Sequence, residues 1–380
     1  MIIYISMTVL VVVFGILYEN DKQKNFKRLD CANGLNVDLN SNPHSNLLFF
    51  ILIFATFVFV TGLQSGYGDT SNYIKQFNNL DYSFKESLTI VWDNEKSPLF
   101  RIYMAFIKGF TEDAQWFLLI TSLLSNYFVC RVLKNESSSV PIACYFYICS
   151  GLCLWAMNGI RQYLVATIFF ACYKLIVKGK WLKWFLLVFI LYFCHTSVIF
   201  LIPMYFLFRK KPWTKTTILF IAALLVVGVF YSQFSNAFFD VAEGTVFEEY
   251  STQVNDVAST KFIRVAFMSI PAVLSFIFRK DIEVDNSPVL NIASNAAVLS
   301  AGMYFLAGIG AGNLIARLAV YSDLFVYVIF VPYIIKKLLD TQYFYVAHLY
   351  IVAAGIFYFY QTFIVGGGIW YSDWLHWYFV

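Results

Sequence analysis

The chain has 380 residues, of which 60% are hydrophobic and only 13% are charged, and its formal net charge is +4. A soluble domain carries about 25% charged residues, so this composition excludes an ordinary soluble protein, and we expect no nucleic-acid partner. Apolar runs of about 18 or more residues recur along the chain, as in membrane-spanning helices. We predict an all-α polytopic membrane protein, one transmembrane domain over residues 1–380, with about 10 to 12 transmembrane helices and short re-entrant or hairpin segments.

Loops rich in Lys and Arg are typical of the cytoplasmic side of a membrane protein. Their positions predict the direction of each span and place both chain termini outside. The spans are predicted near 2–18, 46–63, 114–131, 139–157, 159–177, 215–231, 261–278, 289–308, 314–335 and 342–364. The first has no basic region or cleavage site of a signal peptide, so we expect a retained helix. Segments 64–97 and 232–260 are predicted outer loops. The apolar segment 99–110 is too short to cross a hydrocarbon core of about 30 Å, so we predict a short interfacial or re-entrant helix there.

The apolar stretch 184–208 contains the sequence CHTS near its centre and has basic residues at both ends. Both ends therefore belong to the cytoplasmic side, and each half has about a dozen residues, or roughly 18 Å of helix. We predict a hairpin that enters the membrane, turns at His195, Thr196 and Ser197, and returns. Thr196 or Ser197 is expected to cap the returning half. The alternative is one tilted helix with a hydrogen-bonded histidine.

Three arginines break the positive-inside pattern at predicted outer ends of helices. Each arginine follows a polar residue by three or four positions. Arg161 follows Asn158, Arg264 follows Thr260, and Arg317 follows Asn313. Each polar residue is a good N-cap, and a helix N-terminus with an arginine in its first turn favours bidentate binding of phosphate. Arg101 is a further outer cation. The alternative is that these arginines anchor the interface or pair with acidic loop residues.

Two acidic residues also lie in apolar or glycine-rich surroundings. The stretch GLQSGYGDTSNY, 62–73, turns on three glycines and presents Asp69, although glycines at turns are usually only conformational. Asp323 lies inside the predicted helix 314–335 and needs a partner or a wet cavity, or it is structural. No Cys/His cluster or Asp-x-Asp motif predicts a metal, and no cofactor is expected.

Four stretches together resemble the EpsG-like branch of Wzy-type bacterial polysaccharide polymerases, over about residues 46–335. They are GYGDTSNY, NGIRQYLVA, CHTSVIF and NLIARLAVYSD. The resemblance implies a fold similar to the C-type glycosyltransferases and an enzyme in the bacterial plasma membrane whose active site faces the outside or periplasm. Such an enzyme joins oligosaccharide repeat units carried on undecaprenyl diphosphate, which serve as donor and acceptor, into exopolysaccharide, capsule or O-antigen. A flippase and a chain-length regulator are the implied partner proteins, beside the lipid bilayer.

The resemblance also implies the site. By matching positions, the residues that fall on the family's motif are Asp69, Asn158, Arg161, Gln162, His195, Ser197 and Arg317. Together with the residues singled out above, our catalytic candidates are Asp69, Arg161, His195 and Arg317, and our substrate-binding candidates are Asn158, Gln162, Ser197, Arg264, Gln64, Arg101, Asn313 and Tyr321. Gln64 stands where the family usually has an arginine, so a neutral side chain acts there or another cation such as Arg101 replaces it.

The chemistry agrees with this interpretation but does not select it alone. Arginines and helix N-termini stabilise a departing diphosphate without a metal, and the base for the acceptor hydroxyl is His195 or Asp69. A flippase for the same lipid-linked sugars remains a second class, although inverted repeats and cations on both leaflets are not evident. A membrane acyltransferase is a third class, and a glycan ligase is a neighbouring enzyme class with the same kind of donor.

Overall fold

The structure is a computed structural model, and it describes residues 2–32, 44–94, 97–230, 262–366 and 369–379. Within these ranges nearly every residue is helical, and two three-residue strands form the one small sheet. In the described part of the chain, five helices are long and apolar enough to cross a membrane, or up to seven if each of two bent pairs is one span, and five shorter apolar helices accompany them. The predicted all-α polytopic class is confirmed. The predicted outer loop 232–260 lies outside the described residues.

The α-helices are, in chain order, α1 (Ile2–Ala32), α2 (His44–Gly62), α3 (Thr70–Asn78), α4 (Phe84–Asn94), α5 (Pro98–Lys108), α6 (Ala114–Glu136), α7 (Val140–Cys149), α8 (Leu152–Asn158), α9 (Ile160–Ala171), α10 (Lys174–Val177), α11 (Trp181–Tyr192), α12 (Leu201–Phe208), α13 (Lys215–Val229), α14 (Phe262–Ile277), α15 (Arg279–Asp285), α16 (Pro288–Leu306), α17 (Gly312–Leu318), α18 (Val320–Phe325), α19 (Val331–Leu339) and α20 (Phe344–Phe359). A 3-10 helix at Thr196–Phe200 precedes α12, and π-helical turns lie at Ala307–Ala311, Val326–Phe330 and Tyr360–Val365. The strands are β1 (Trp370–Ser372) and β2 (Trp377–Phe379), and they pair antiparallel.

Two predicted segments differ from the helices that form. The predicted loop 64–97 contains α3 and α4, and the predicted span 139–157 is the pair α7 and α8, bent by 52° at a break of two residues. The break lies at Ser150 and Gly151, and Gly151 has the positive φ of 85° that glycine adopts without steric cost. The predicted short helix near 99–110 is present as α5.

The chain forms two compact units. Unit 1 comprises Met1–Ser83, Met104–Ile160 and Val331–Val380, and unit 2 comprises Phe84–Tyr103 and Arg161–Phe330. The prediction of one transmembrane domain stays a prediction.

In unit 1, α1 packs against α2 and α7, and α2 packs against α6. The backbones of α1 and α7 approach closely, because a Cβ on Gly15 would lie 2.9 Å from the Cα of Pro141. Glu19 near this contact accepts the backbone N–H of Val140 at 2.6 Å and so satisfies a free donor in the first turn of α7. The phenyl ring of Phe57 packs edge-on against Tyr147, with ring centroids 5.1 Å apart.

In unit 2, α16 packs against α14, α18 and the π-helical turn Val326–Phe330. Tyr304 of α16 and Asp323 of α18 are 19 residues apart and share a 2.9 Å hydrogen bond. A straight helix would separate them by about 28 Å, so the chain reverses between them. Asn295 of α16 donates to the carbonyl oxygens of Leu207 and Lys210, near the end of α12, and so ties this end to α16.

Candidate active site

The stretch around His195 forms the predicted hairpin within unit 2. Helix α11 stops at Tyr192 and α12 returns beside it, so that the ring of Phe185 lies 5.8 Å from that of Tyr205. These two residues are ten positions before and ten positions after His195, which places the turn at the histidine. The prediction that Thr196 or Ser197 caps the returning half is wrong, because the His195 side chain occupies the cap itself.

His195 is the centre of a hydrogen-bond cluster in unit 2. Its Nδ1 accepts the backbone N–H of Ser197 at 3.3 Å, and Ser197 Oγ lies 2.7 Å from the same nitrogen. Ser197 Oγ also lies 2.8 Å from the hydroxyl of the buried Tyr321 and 3.5 Å from Nε2 of the buried Gln162. The same Gln162 amide donates to the backbone carbonyl of Arg317 at 3.2 Å. Five of the predicted site residues therefore meet around this turn.

Arg161 lies in the first turn of α9, as predicted, and reaches the same cluster in unit 2. Its Nη1 donates to the hydroxyl of Ser97 at 2.8 Å, and its guanidinium carbon lies 6.0 Å from the ring centroid of Phe100. The backbone N–H of Leu99 donates to the carbonyl of Phe193 at 3.1 Å and thereby fixes residues 97–100 against the hairpin turn. Ser97 could not be singled out beforehand, because an isolated serine before a proline has no distinctive pattern.

Arg317 supplies the second guanidinium group of this cluster. The side chains of Arg161 and Arg317 are both close enough to the His195 imidazole to interact with it electrostatically. Arg317 is exposed and lies in the last turn of the short helix α17, which places it near the start of the long apolar span 315–339. Asn313 is the second residue of α17, directly after a π-helical turn, and does not occupy a cap position.

The other two predicted cations of unit 2 lie elsewhere. Arg101 is half-buried on α5, and its backbone N–H bonds to the carbonyl of Ser97. Arg264 lies in the first turn of α14 with its guanidinium carbon 5.3 Å from the ring centroid of Tyr304. Thr260, its predicted cap, lies outside the described residues.

Asp323 has the partners that a buried carboxylate requires. It is only 2% exposed, and its two oxygens accept hydrogen bonds from the hydroxyls of Ser300 and Tyr304. Arg264 stacks on that same Tyr304 ring and also interacts electrostatically with Asp323. The four side chains form a second polar cluster in unit 2, and they link α14, α16 and α18 inside an otherwise apolar core.

The loop that carries Asp69 in unit 1 is tied to itself and to α8. The amide of the fully buried Gln64 accepts the backbone N–H of Tyr67 at 2.8 Å and donates to Thr70 Oγ1 at 2.6 Å. Thr70 Oγ1 in turn donates to the carbonyl of Met157 at 2.6 Å. Both polar ends of Gln64 are therefore used inside the loop, so the glutamine shapes the turn.

Asn158 fixes the tip of this loop. It is the last residue of α8 and not the cap of α9, so the predicted capping role is wrong. Its Oδ1 accepts the backbone N–H of Asp69 at 3.1 Å. Gly68 adopts a φ of +54°, and a Cβ there would lie 2.8 Å from Asn158 Cγ, so only glycine fits.

Asp69 itself is half-buried at the N-cap position of α3, yet its side chain makes no capping hydrogen bond. Among the residues that the structure describes, no group hydrogen-bonds to its carboxylate. The loop thus holds the Asp69 backbone through Asn158 while leaving the carboxylate available to a ligand.

The C-terminal strands support the same loop, which the sequence did not indicate. The indole of the fully buried Trp370 donates to the carbonyl of Val60 at 2.9 Å, in the last turn of α2. The backbone N–H of Ser65 donates to the carbonyl of Tyr371 at 2.7 Å, and Ser65 Oγ accepts the N–H of Asp373 at 3.1 Å. These bonds satisfy a free carbonyl group at the helix end and fix the start of the Asp69 loop.

No group of three or more His, Cys, Asp or Glu side chains in the described ranges is arranged to hold a metal ion. Neither a curated protein nor a solved structure matches the chain. The sequence model of the EpsG family matches residues 47–375, which include every residue of both candidate clusters. The chain therefore belongs to the EpsG family.

Proposed function

We propose that the protein is a membrane glycosyltransferase that polymerises oligosaccharide repeat units carried on undecaprenyl diphosphate. Membership of the EpsG family supports a polysaccharide polymerase-like role. The observation that carries the specific proposal is the cluster in unit 2, where Arg161 binds Ser97 beside the hairpin turn of His195 and where Gln162 joins the backbone of Arg317 to the same turn. Two cations, one half-buried and one exposed, match the charge of a diphosphate better than that of a neutral sugar.

In the proposed reaction, the bond between the anomeric carbon of the donor sugar and the diphosphate oxygen breaks, and the diphosphate leaves with the electron pair. An acceptor hydroxyl at the non-reducing end of the next lipid-linked unit forms the new bond to that carbon and loses its proton to a base. Arg161 and Arg317 stabilise the charge that develops on the diphosphate. Asp69 and His195 are the two candidates for the base.

The surrounding polar residues hold these groups in place. Gln162, Ser197 and Tyr321 orient the imidazole of His195, and Asn158 and Gln64 hold the loop of Asp69. Arg101, Arg264 and Asn313 remain candidates for contacts to the sugars or the lipid diphosphate. We propose that the site faces the outside of a bacterial plasma membrane and that a flippase supplies its substrates and a chain-length regulator limits its product.

Purified protein in detergent, supplied with one chemically defined polyprenyl-diphosphate-linked repeat unit, tests this function. We expect a ladder of lipid-linked products that differ by one repeat. A flippase would form no new bond in micelles, where the substrate has no second leaflet to reach. Unchanged substrate, together with translocation of the same substrate by protein reconstituted in vesicles, would establish the transporter instead.

A further inference from the structure

We propose that His195 acts as a neutral hydrogen-bond donor to the diphosphate through Nε2–H, and that Ser197 and Tyr321 are positioning residues that fix this tautomer. The inference rests on the proposed function for the identity of the ligand. It assigns the imidazole a different role from general base, and it follows from the hydrogen bonds around the turn.

The backbone N–H of Ser197 determines the direction of every hydrogen bond in the cluster. An amide N–H can only donate, so the Nδ1 that it approaches at 3.3 Å must be the unprotonated ring nitrogen. The Ser197 hydroxyl, 2.7 Å from the same atom, must then donate its one proton to Nδ1. With that proton used, the oxygen accepts from the Tyr321 hydroxyl at 2.8 Å.

Gln162 completes the same pattern. Its side-chain nitrogen is also only a donor, and it lies 3.5 Å from Ser197 Oγ, so it approaches the second lone pair of that oxygen. One donor and two acceptor positions on the serine hydroxyl are thereby all engaged. The opposite tautomer would place two donors, the Ser197 N–H and an Nδ1–H, against each other.

A neutral imidazole with a bare Nδ1 carries its proton on Nε2. In the part of the chain that the structure describes, no protein group is hydrogen-bonded to Nε2, whereas Nδ1 has two donors. The ring is half-buried, so this edge is the one left for a ligand. The hydrogen bonds to one ring nitrogen thus select which nitrogen acts. Carboxylates, backbone carbonyls and waters fix the tautomer of metal-binding histidines in the same way.

A neutral donor suits the charges around it. Arg161 and Arg317 already supply two cations that interact with the ring, and an Nε2–H adds a hydrogen bond to a phosphate oxygen without a third positive charge. Because Nε2 holds a proton and Nδ1 accepts from Ser197, the ring does not take the proton of the acceptor hydroxyl at Nε2. Asp69, whose carboxylate is available, is then the candidate base.

The tautomer is measured by ¹⁵N NMR of detergent-solubilised protein labelled at its histidines. His195→Gln identifies the His195 signals among the 4 histidines of the chain. We expect one nitrogen protonated and one unprotonated but hydrogen-bonded, with the protonated Nε2 shifted when inorganic pyrophosphate is added. Tyr321→Phe and Ser197→Ala should mix the two tautomers, an effect that a merely structural contact would not produce. A ring protonated at Nδ1 alone, or at both nitrogens, overturns the proposal.

A matched pair of substitutions then separates donor from base. The amide of Gln can place an N–H near the Nε2 position, whereas the shorter Asn places its amide near Nδ1, and neither side chain is a base at neutral pH. If His195 is a donor, we expect His195→Gln to keep both pyrophosphate affinity and chain extension within about tenfold of wild type. We expect His195→Asn to lower both by about a hundredfold or more, which is the effect of removing one donor to a developing oxyanion. Equal losses of that size in both variants would contradict the donor role.

Pyrophosphate binding and the tautomer do not depend on polymerisation, so the two proposals fail separately. If wild-type protein binds pyrophosphate through an Nε2–H ring but extends no lipid-linked repeat, the proposed function is wrong and the donor assignment stands. If the protein extends the repeat while its ring is protonated at Nδ1, the function stands and the donor assignment is wrong.

Discussion

Gly68→Ala tests whether the conformation of the loop before Asp69 matters for catalysis. A non-glycine residue at a φ of +54° costs about 1 to 2 kcal/mol. The new Cβ would lie 2.8 Å from Asn158 Cγ, so this side chain must move, and the hydrogen bond from the Asp69 backbone to it, worth about 0.5 to 1.5 kcal/mol, is lost. Together the cost is about 1.5 to 3.5 kcal/mol.

The chain offers a matched control two residues earlier. A Cβ on Gly66 would lie 3.6 Å from its nearest neighbour, Tyr371 Cβ, in ordinary contact, and Gly66 has no positive φ. If the loop relaxes to relieve the strain, the fraction of protein with Asp69 in place falls by about 10- to 400-fold, since about 1.36 kcal/mol corresponds to a factor of ten. We therefore expect Gly68→Ala to lower the extension rate by up to that factor and Gly66→Ala to change it by less than about threefold.

The assay is the initial rate of extension of a defined lipid-linked repeat by purified protein, with folding checked by size-exclusion chromatography and the unfolding temperature. Equal rates in the two glycine variants, both well folded, would refute the argument that this loop conformation positions a reacting group. A Gly68→Ala protein that does not fold would leave Asn158→Ala as the second test, because that change removes the same backbone hydrogen bond without straining the loop.

The remaining predictions concern charge, topology and packing. Arg161→Lys and Arg317→Lys should each lower the rate of extension about a hundredfold or more, because a lysine keeps the charge but cannot form the bidentate fork. The control Arg279→Lys, at an exposed position, should have no effect. Normal rates in Arg161→Lys and Arg317→Lys would make these two arginines interfacial anchors. In a cysteine-free background, single cysteines placed at 161 and 195 should react with an impermeant thiol reagent added from outside, and a cysteine at 210 should not. Labelling at 210 would overturn the predicted topology. Asp323→Leu should lower the free energy of unfolding by about 1 to 3 kcal/mol, because two buried hydroxyls lose their acceptor, and Asp323→Asn by less; equal unfolding temperatures would contradict this. Trp370→Phe should cost about 1 kcal/mol by removing the donor to the end of α2, and an unchanged unfolding temperature would show that water replaces it.

The hairpin around His195 could be predicted because charge and length constrain it together. Basic residues at both ends put both ends on one side, and the apolar stretch between them allows two short halves. The caps could not be predicted in the same way. Asn158 has the residue type of an N-cap, but its side chain is used by the backbone of Asp69, 89 residues earlier in the chain. Residue type at a helix end does not reveal a competing partner that is distant in sequence.

Short helices and buried polar partners were the features that the sequence did not indicate. Helices α3 and α4 lie in a polar segment, and a search for long apolar runs passes over amphipathic helices of 9 and 11 residues. The sequence shows that Asp323 needs a partner, but Ser300 and Tyr304 become its partners only because the chain reverses at 307–319. The supporting role of Trp370 depends likewise on a contact with Val60 across 310 positions.

The central claim is that the protein transfers glycan from a lipid diphosphate, and product stoichiometry tests it most directly. Purified protein is given a lipid-linked repeat with a labelled polyprenyl diphosphate, and both released lipid and new glycosidic bonds are counted over time. The account predicts one polyprenyl diphosphate released for each bond formed, with both products lowered equally in Arg161→Lys. Bond formation with release of a polyprenyl monophosphate, or lipid release without any new bond, would contradict it.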